Sequence, residues 1–245
     1  MLLRAPSLLM LGIVLFGAIT LVIPLFQPSL GAYVSIVALA SAFALQRYIA
    51  SVAGYFVLRS ARVFRAGDRI RIGTVKGDVR QIGMLHFIVD EVGEGENFGG
   101  ELTGRIIHVP NHMVLDSPVL NYSQNFSSKG ELLSCDYMFD EVDIHLTPGT
   151  PVTHAKALLE RTLRVADERH LAMAKALYSR SIPNFMQEAN LTPRVLVIME
   201  PDRVRLVGKY VAPIRNRNEL KSQIIMEFLE ALEREAPAAA PRVPA

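Results

Sequence analysis

One cysteine in 245 residues, Cys135, excludes any disulfide within the chain and fits a reducing surrounding for the segment that holds it. Net charge is nearly absent: 26 Lys and Arg stand against 24 Asp and Glu, which leaves +2 and no bulk electrostatic signature. Acidic residues are missing from the whole first quarter, up to Asp68. Catalytic constellations are missing as well. Gly93 and Gly95 have G-x-G spacing, but Glu94 and Glu96 would repel phosphate and no helix follows, so 90–104 is expected to be an extended hairpin tip. The same loop lacks the order of oxygen ligands that calcium needs. His108 and His112 have i, i+4 spacing, yet Pro110 between them prevents the helical convergence that zinc requires. Asp136, Asp140, Glu141 and Asp143 read as a solvated strand and turn. Cys135 has no base partner in view and reads as a small buried residue. These absences imply no enzyme, no metal and no cofactor.

Long apolar runs are what the chain does have. Residues 7–26, SLLMLGIVLFGAITLVIPLF, carry no charge and at about 1.5 Å per residue cover a hydrocarbon core of roughly 30 Å. A signal peptide would have a shorter apolar core and a small-residue cleavage site, neither of which is present. QPS at 27–29 makes a turn, and a second apolar run returns over 30–45. Arg4 precedes the first span, while Arg47, Arg59, Arg62, Arg65, Arg69 and Arg71 follow the second. Beside apolar helices this cluster reads as headgroup-facing rather than nucleic-acid-binding, and it puts both termini in the cytoplasm of a multi-pass protein.

Taken as a helix and measured from Leu39, Ala32 falls near 20°, Ser35 near −40°, Phe43 near 40° and Gln46 near −20°, so the five share a face. Ala38, Ala40 and Ala42 flank it, which permits close packing of identical helices about an axis and equally suits a single lipid-exposed anchor. The chain continues as RYIASVAGYFVLRSARVF, with Tyr48, Ile49, Val52 and Phe56 on one side and Arg47, Ser51, Gly54 and Arg62 on the other. That is an amphipathic, interfacial helix. A bend is expected between it and the preceding span, with Gly54 as the residue offering backbone freedom.

Alternating apolar and polar residues with glycine punctuation, as in DRIRIGTVKGDVRQIG and GRIIHVPN, predict short strands over 65–125. Further on, the pattern predicts a strand over 131–145, a helix over 151–178, a strand pair over 194–212 turning at EPDR, and a helix over 216–235. The β-α-β-β-α order suggests a ferredoxin-like α+β layer. Four regions result: membrane and interfacial helices over 1–64, a β domain over 65–128, an α+β domain over 129–236, and a disordered tail, PAAAPRVPA, over 237–245.

The stretches FALQRYIASVAGYFVLRSARVFRAGDRIRIGTVKGDVRQIG (43–83) and TGRIIHVPNHMVLDSPVLNYS (103–123) resemble the small-conductance mechanosensitive (MscS-like) channel family. The specific elements are Leu45-Gln46 ahead of the interfacial helix, FRAGD at 64–68, the GxVxGxV strand at 73–79 and VPN at 109–111; the resemblance is strong over 30–125 and weak over 130–235. It implies a homo-heptamer around one pore, an Sm-like β-barrel for the β domain, and a cytoplasmic vestibule with side portals near the junction of the two soluble domains. Gap-free matching upstream of Gln46 puts the constricting positions at Leu39 and Phe43, with Ala32, Ser35 and Gln46 lining the same pore and Arg47 at its mouth. The implied function is a tension-gated channel of low selectivity in a cell membrane of the bacterial inner-membrane type, in contact with lipid and passing inorganic ions and small solutes on osmotic downshock. Nucleic acid is not among the implied partners. Three features depart from the family: Arg47 stands where glycine is usual, two spans replace three or more, and the tail replaces an apolar closing strand. A non-conducting, membrane-anchored oligomeric scaffold that binds partners through its soluble domains is the alternative.

Overall fold

The computed structural model describes residues 12, 14–20, 22, 26–93, 99–178 and 181–235. Most of the first apolar span, the centre of the 90–104 loop and the 237–245 tail lie outside these residues. Within the first span, residues 14–20 are helical, and Thr20 donates its hydroxyl to the Phe16 and Gly17 carbonyls. The QPS turn is a short 3-10 segment, Pro28–Leu30, closed by the Leu30 N–H on the Gln27 carbonyl at 3.0 Å.

Helix α1 then runs over Gly31–Ala61, 31 residues and about 46 Å long. The expected second span and interfacial helix are thus one uninterrupted element. No proline occurs in it, and Arg47, a good helix former, occupies the place where a bend was expected. Arg62 ends the helix in the left-handed conformation at φ 53°.

Five strands follow: β1 (Arg69–Ile72), β2 (Val75–Ile82), β3 (His86–Val92), β4 (Leu102–Pro110) and, after the single turn α2 (Met113–Asp116), β5 (Val119–Asn121). They form one sheet in the order β4-β3-β2-β1-β5, antiparallel at every pairing. Its buried face carries Ile70, Ile72, Val79, Phe87 and Val89, and Phe64 from the segment before β1 packs on them. The Gly-x-Val pattern has a steric reason at Gly77, where a Cβ would overlap the Asp90 carbonyl of the adjacent strand.

A hairpin of β6 (Gln124–Phe126) and β7 (Leu132–Ser134) leads to β8 (Tyr137–Leu146), α3 (Val152–Tyr178), α4 (Pro183–Ala189), β9 (Arg194–Met199), β10 (Val204–Pro213) and α5 (Arg217–Glu235). The single strand expected over 131–145 is therefore two, and α4 was not foreseen. The three long strands form an antiparallel sheet in the order β8-β10-β9. Leu159 and Leu163 of α3 and Ile224 and Phe228 of α5 close over its Val142, Ile144, Leu206 and Tyr210 face. On the opposite face α4 contributes Phe185, which stacks on Phe139 with ring centroids 4.9 Å apart.

Candidate functional site

Along α1 the buried residues are Ser51, Gly54 and Leu58, all in the second half. On the scale used for the wheel they fall near 120°, 60° and 100°, a stripe about a quarter-turn from Leu39. This stripe docks on the β domain. Gly54 meets the Asn111 backbone so closely that a Cβ would overlap the Asn111 carbonyl oxygen. Ser51 Oγ lies 3.1 Å from His112 Nδ1, and Leu58 enters the core beside Phe64 and Ile70. Gly54 thus permits this close approach.

Asn111, fully buried, explains the VPN motif. Its amide Nδ2 donates to the Gly83 and Met84 carbonyls at 2.9 Å, and its backbone N–H to the Leu85 carbonyl at 2.9 Å. The β2–β3 turn, the end of β4 and helix α1 are held together through this residue. FRAGD has a comparable logic: Phe64 packs on Phe87, and the Asp68 carboxylate accepts from Arg65 N at 2.9 Å, Asn121 Nδ2 at 2.9 Å and Gln124 Nε2 at 2.6 Å.

The amphipathic half of α1 is inverted relative to a soluble protein. Its Ser51, Gly54 and Leu58 stripe is buried, while Tyr48, Ile49 and Phe56 are 59%, 62% and 61% exposed. Higher up, Leu39 and Phe43 are 61% and 69% exposed, and Ala32, Ser35, Gln46 and Arg47 are exposed with them. One unbroken helix therefore carries all six expected pore residues, and all six are exposed among the described residues. Ser35 turns its hydroxyl back to the Gly31 carbonyl at 2.8 Å, so it adds little polarity to its face. By length and composition α1 can cross a membrane.

A second junction joins the β domain to the C-terminal sheet. Arg69, 6% exposed, pairs with Asp78 at 2.8 Å and donates to the Gly100 carbonyl at 2.8 Å and to the Ile214 carbonyl at 3.1 Å. Arg215 donates to the Gly67 carbonyl at 3.0 Å, and Asn218 Nδ2 to Glu101 at 3.2 Å. Open clefts of about 780 Å3 and 480 Å3 flank this seam. Composition and spacing gave no hint of Arg69, which stood in the sequence as one of a run of arginines.

No family model matches the sequence, and no curated protein matches it. Solved structures do. Helicobacter pylori MscS in a closed state aligns with a TM-score of 0.59 and 16% identity, over 89% of this chain and 73% of that one. Arabidopsis thaliana MSL1 aligns with a TM-score of 0.55 and 13% identity, over 94% of this chain and 72% of that one. The fold is MscS-like.

Within the MscS-like fold the residues considered for chemistry are accounted for structurally. His108 is exposed on β4 while His112 turns to Ser51. Asp140 faces Arg217 at 3.9 Å and Asp143 faces Arg205 at 3.1 Å. Cys135 is buried, its thiol donates to the Tyr137 carbonyl at 3.2 Å, and burial pushes its pKa up. Among the described residues no group of three or more His, Cys, Asp or Glu side chains is arranged to hold a metal. Asp167, also buried, accepts from the Val211 N–H at 2.7 Å and the Thr192 hydroxyl at 3.0 Å; burial nonetheless raises its pKa against those bonds.

Proposed function

We propose that the chain is the subunit of a homo-oligomeric, tension-gated ion channel of low selectivity, which releases small solutes when the outside medium is diluted. Several copies of α1, seven by the family resemblance, surround a central passage in a bacterial-type inner membrane with both termini cytoplasmic. Ala32, Ser35, Leu39, Phe43 and Gln46 line it, and rings of Leu39 and Phe43 close it. Water abandons a narrow apolar constriction where it cannot recover its hydrogen bonds, and ions do not cross a dry one. Tension selects the packing of the same helices that takes more area in the bilayer plane.

The observation that carries this reading is the exposed apolar α1, anchored through its Ser51, Gly54 and Leu58 stripe to an MscS-like soluble part. Such a surface needs lipid on one side and further copies of itself on another. Purified protein in liposomes should give tension-dependent currents; correctly assembled oligomers that stay electrically silent under tension refute the reading.

A further inference from the structure

We infer that the β2–β3 turn, residues 83–85, enters the headgroup layer of the bilayer that α1 crosses and sets Met84 and Leu85 against lipid; this rests on the membrane-spanning part of the reading above. Both side chains are apolar and open to the outside of the folded chain, Met84 at 56% and Leu85 at 36% exposure. Exposure by itself decides nothing, since single apolar residues are common on protein surfaces. Their level along α1 does. Ser51 meets His112, Gly54 meets the Asn111 backbone, and Leu58 enters the core beside Phe64 and Ile70, so α1 descends the β domain starting from the end of β4. The end of β4 is thus the rim nearest the membrane. Asn111 ties the turn to that rim: its amide Nδ2 donates to the Gly83 and Met84 carbonyls and its backbone N–H to the Leu85 carbonyl, each at 2.9 Å. All three turn residues are therefore held at the level of Gly54.

Gly54 lies 23 residues beyond Gly31, about 34 Å along the helix axis. With the polar turn before Gly31 at the outer surface, a hydrocarbon core of roughly 30 Å ends just short of Gly54, and a headgroup layer about 5–7 Å deep contains it. A tilt of α1 only brings Gly54 nearer the core. Tyr48 and Tyr55 fall on either side of that boundary, about 26 and 36 Å along the axis, where interfacial aromatics belong. The rim suits such a place. Residues 83–87 and 112–117 contain one carboxylate, Asp116, and no Lys or Arg. Leu115, 47% exposed, stands on α2 directly after the Asn111–His112 corner and adds to the same apolar surface. Entry of the turn desolvates no charge on Met84 or Leu85, and Asn111 already satisfies the turn's three carbonyls. The β domain thus touches the bilayer at a second place beside its own helix.

The chain contains no tryptophan, so a single introduced one is the sole indole reporter. Met84→Trp and Leu85→Trp in the full chain, reconstituted into phosphatidylcholine vesicles with brominated acyl chains, should each lose fluorescence to the bromines and resist quenching by aqueous iodide. Tyr48→Trp is the membrane reference, because Tyr48 is 59% exposed and falls near 180° on the wheel, opposite Leu39. Leu196→Trp, on β9 at 54% exposure, is the reference outside the membrane and should stay unquenched by brominated lipid. If Tyr48→Trp is quenched by lipid and neither turn reporter is, the inference is overturned and the membrane-spanning helix stands. Iodide access to the turn then means that it lies in water, and iodide protection means that protein, such as a second copy, covers it. If Tyr48→Trp is not quenched by lipid either, the membrane reading falls together with the inference. Should the variants not fold, the unsubstituted chain decides: a photoactivatable lipid should label Met84 or Leu85, located by mass spectrometry, and label on α1 with none on the turn overturns the inference.

Discussion

Single residues decide how the membrane helix is held. Replacing Gly54 by alanine gains about 1 kcal/mol of helix propensity but drives a methyl into the Asn111 backbone, which has no free end to swing away. The clash wins, so Gly54→Ala should destabilise the folded protein by about 1–3 kcal/mol, read as a lower unfolding temperature in detergent. Arg69→Ala leaves the half-buried Asp78 with only the more distant Arg215 at 3.8 Å and takes the guanidinium donor from two carbonyls, and should cost about 1–3 kcal/mol in chemical denaturation. Asp167 behaves differently. Its folded pKa is raised by burial, so its contribution to stability is full below the unfolded carboxylate pKa and is lost as pH rises through the folded value. Asn at this position can accept from Val211 and donate to Thr192, whose hydroxyl already bonds the Ala189 carbonyl at 2.8 Å. Asp167→Asn should therefore remove that part of the pH dependence, and thermal melts of variant and wild type should converge toward acid pH and diverge, variant higher, toward neutral. None of these roles was legible beforehand. Asn111 was visible only as the last letter of VPN, and His112 only as half of a rejected zinc pair, because a contact between residues 61 apart leaves no local periodicity.

At the scale of elements, the sequence was more informative. Strands β1 to β4, the EPDR turn, α3 and α5 lie close to where alternation and helical spacing put them, since each buries one face and so imposes a period. Misses came where period fails: α4 is too short to show one, and the break before β8 turns on Cys135 entering the core. Helix α1 is the instructive case. Its apolar content predicted a span, and the helix runs without interruption through Arg47, a good helix former, into the segment expected to be a separate interfacial element. On the proposed channel reading the gate lies on the exposed stripe of α1. Leu39→Ser or Phe43→Ser places a hydroxyl in the constriction and lets water stay, so either should open at lower tension or leak at rest, measured in liposome patches. Unchanged thresholds in both would remove these residues from the gate.

For the whole molecule, the two soluble units meet at the Arg69 seam, and helix α1 docks on the first of them. The Arg69 seam ties β1 to the end of β10, and the Asn111 contact ties α1 to the end of β4. Oligomer number was not legible in the residues themselves, because symmetry is a property of how copies meet and a single chain carries only half of each contact. The account stands or falls on that assembly. Electron-microscopic imaging of the intact purified particle tests it most directly: the account predicts a closed ring of copies with the α1 helices around the axis and Leu39 and Phe43 turned inward, and a particle whose α1 helices face outward into lipid with no central passage would contradict it.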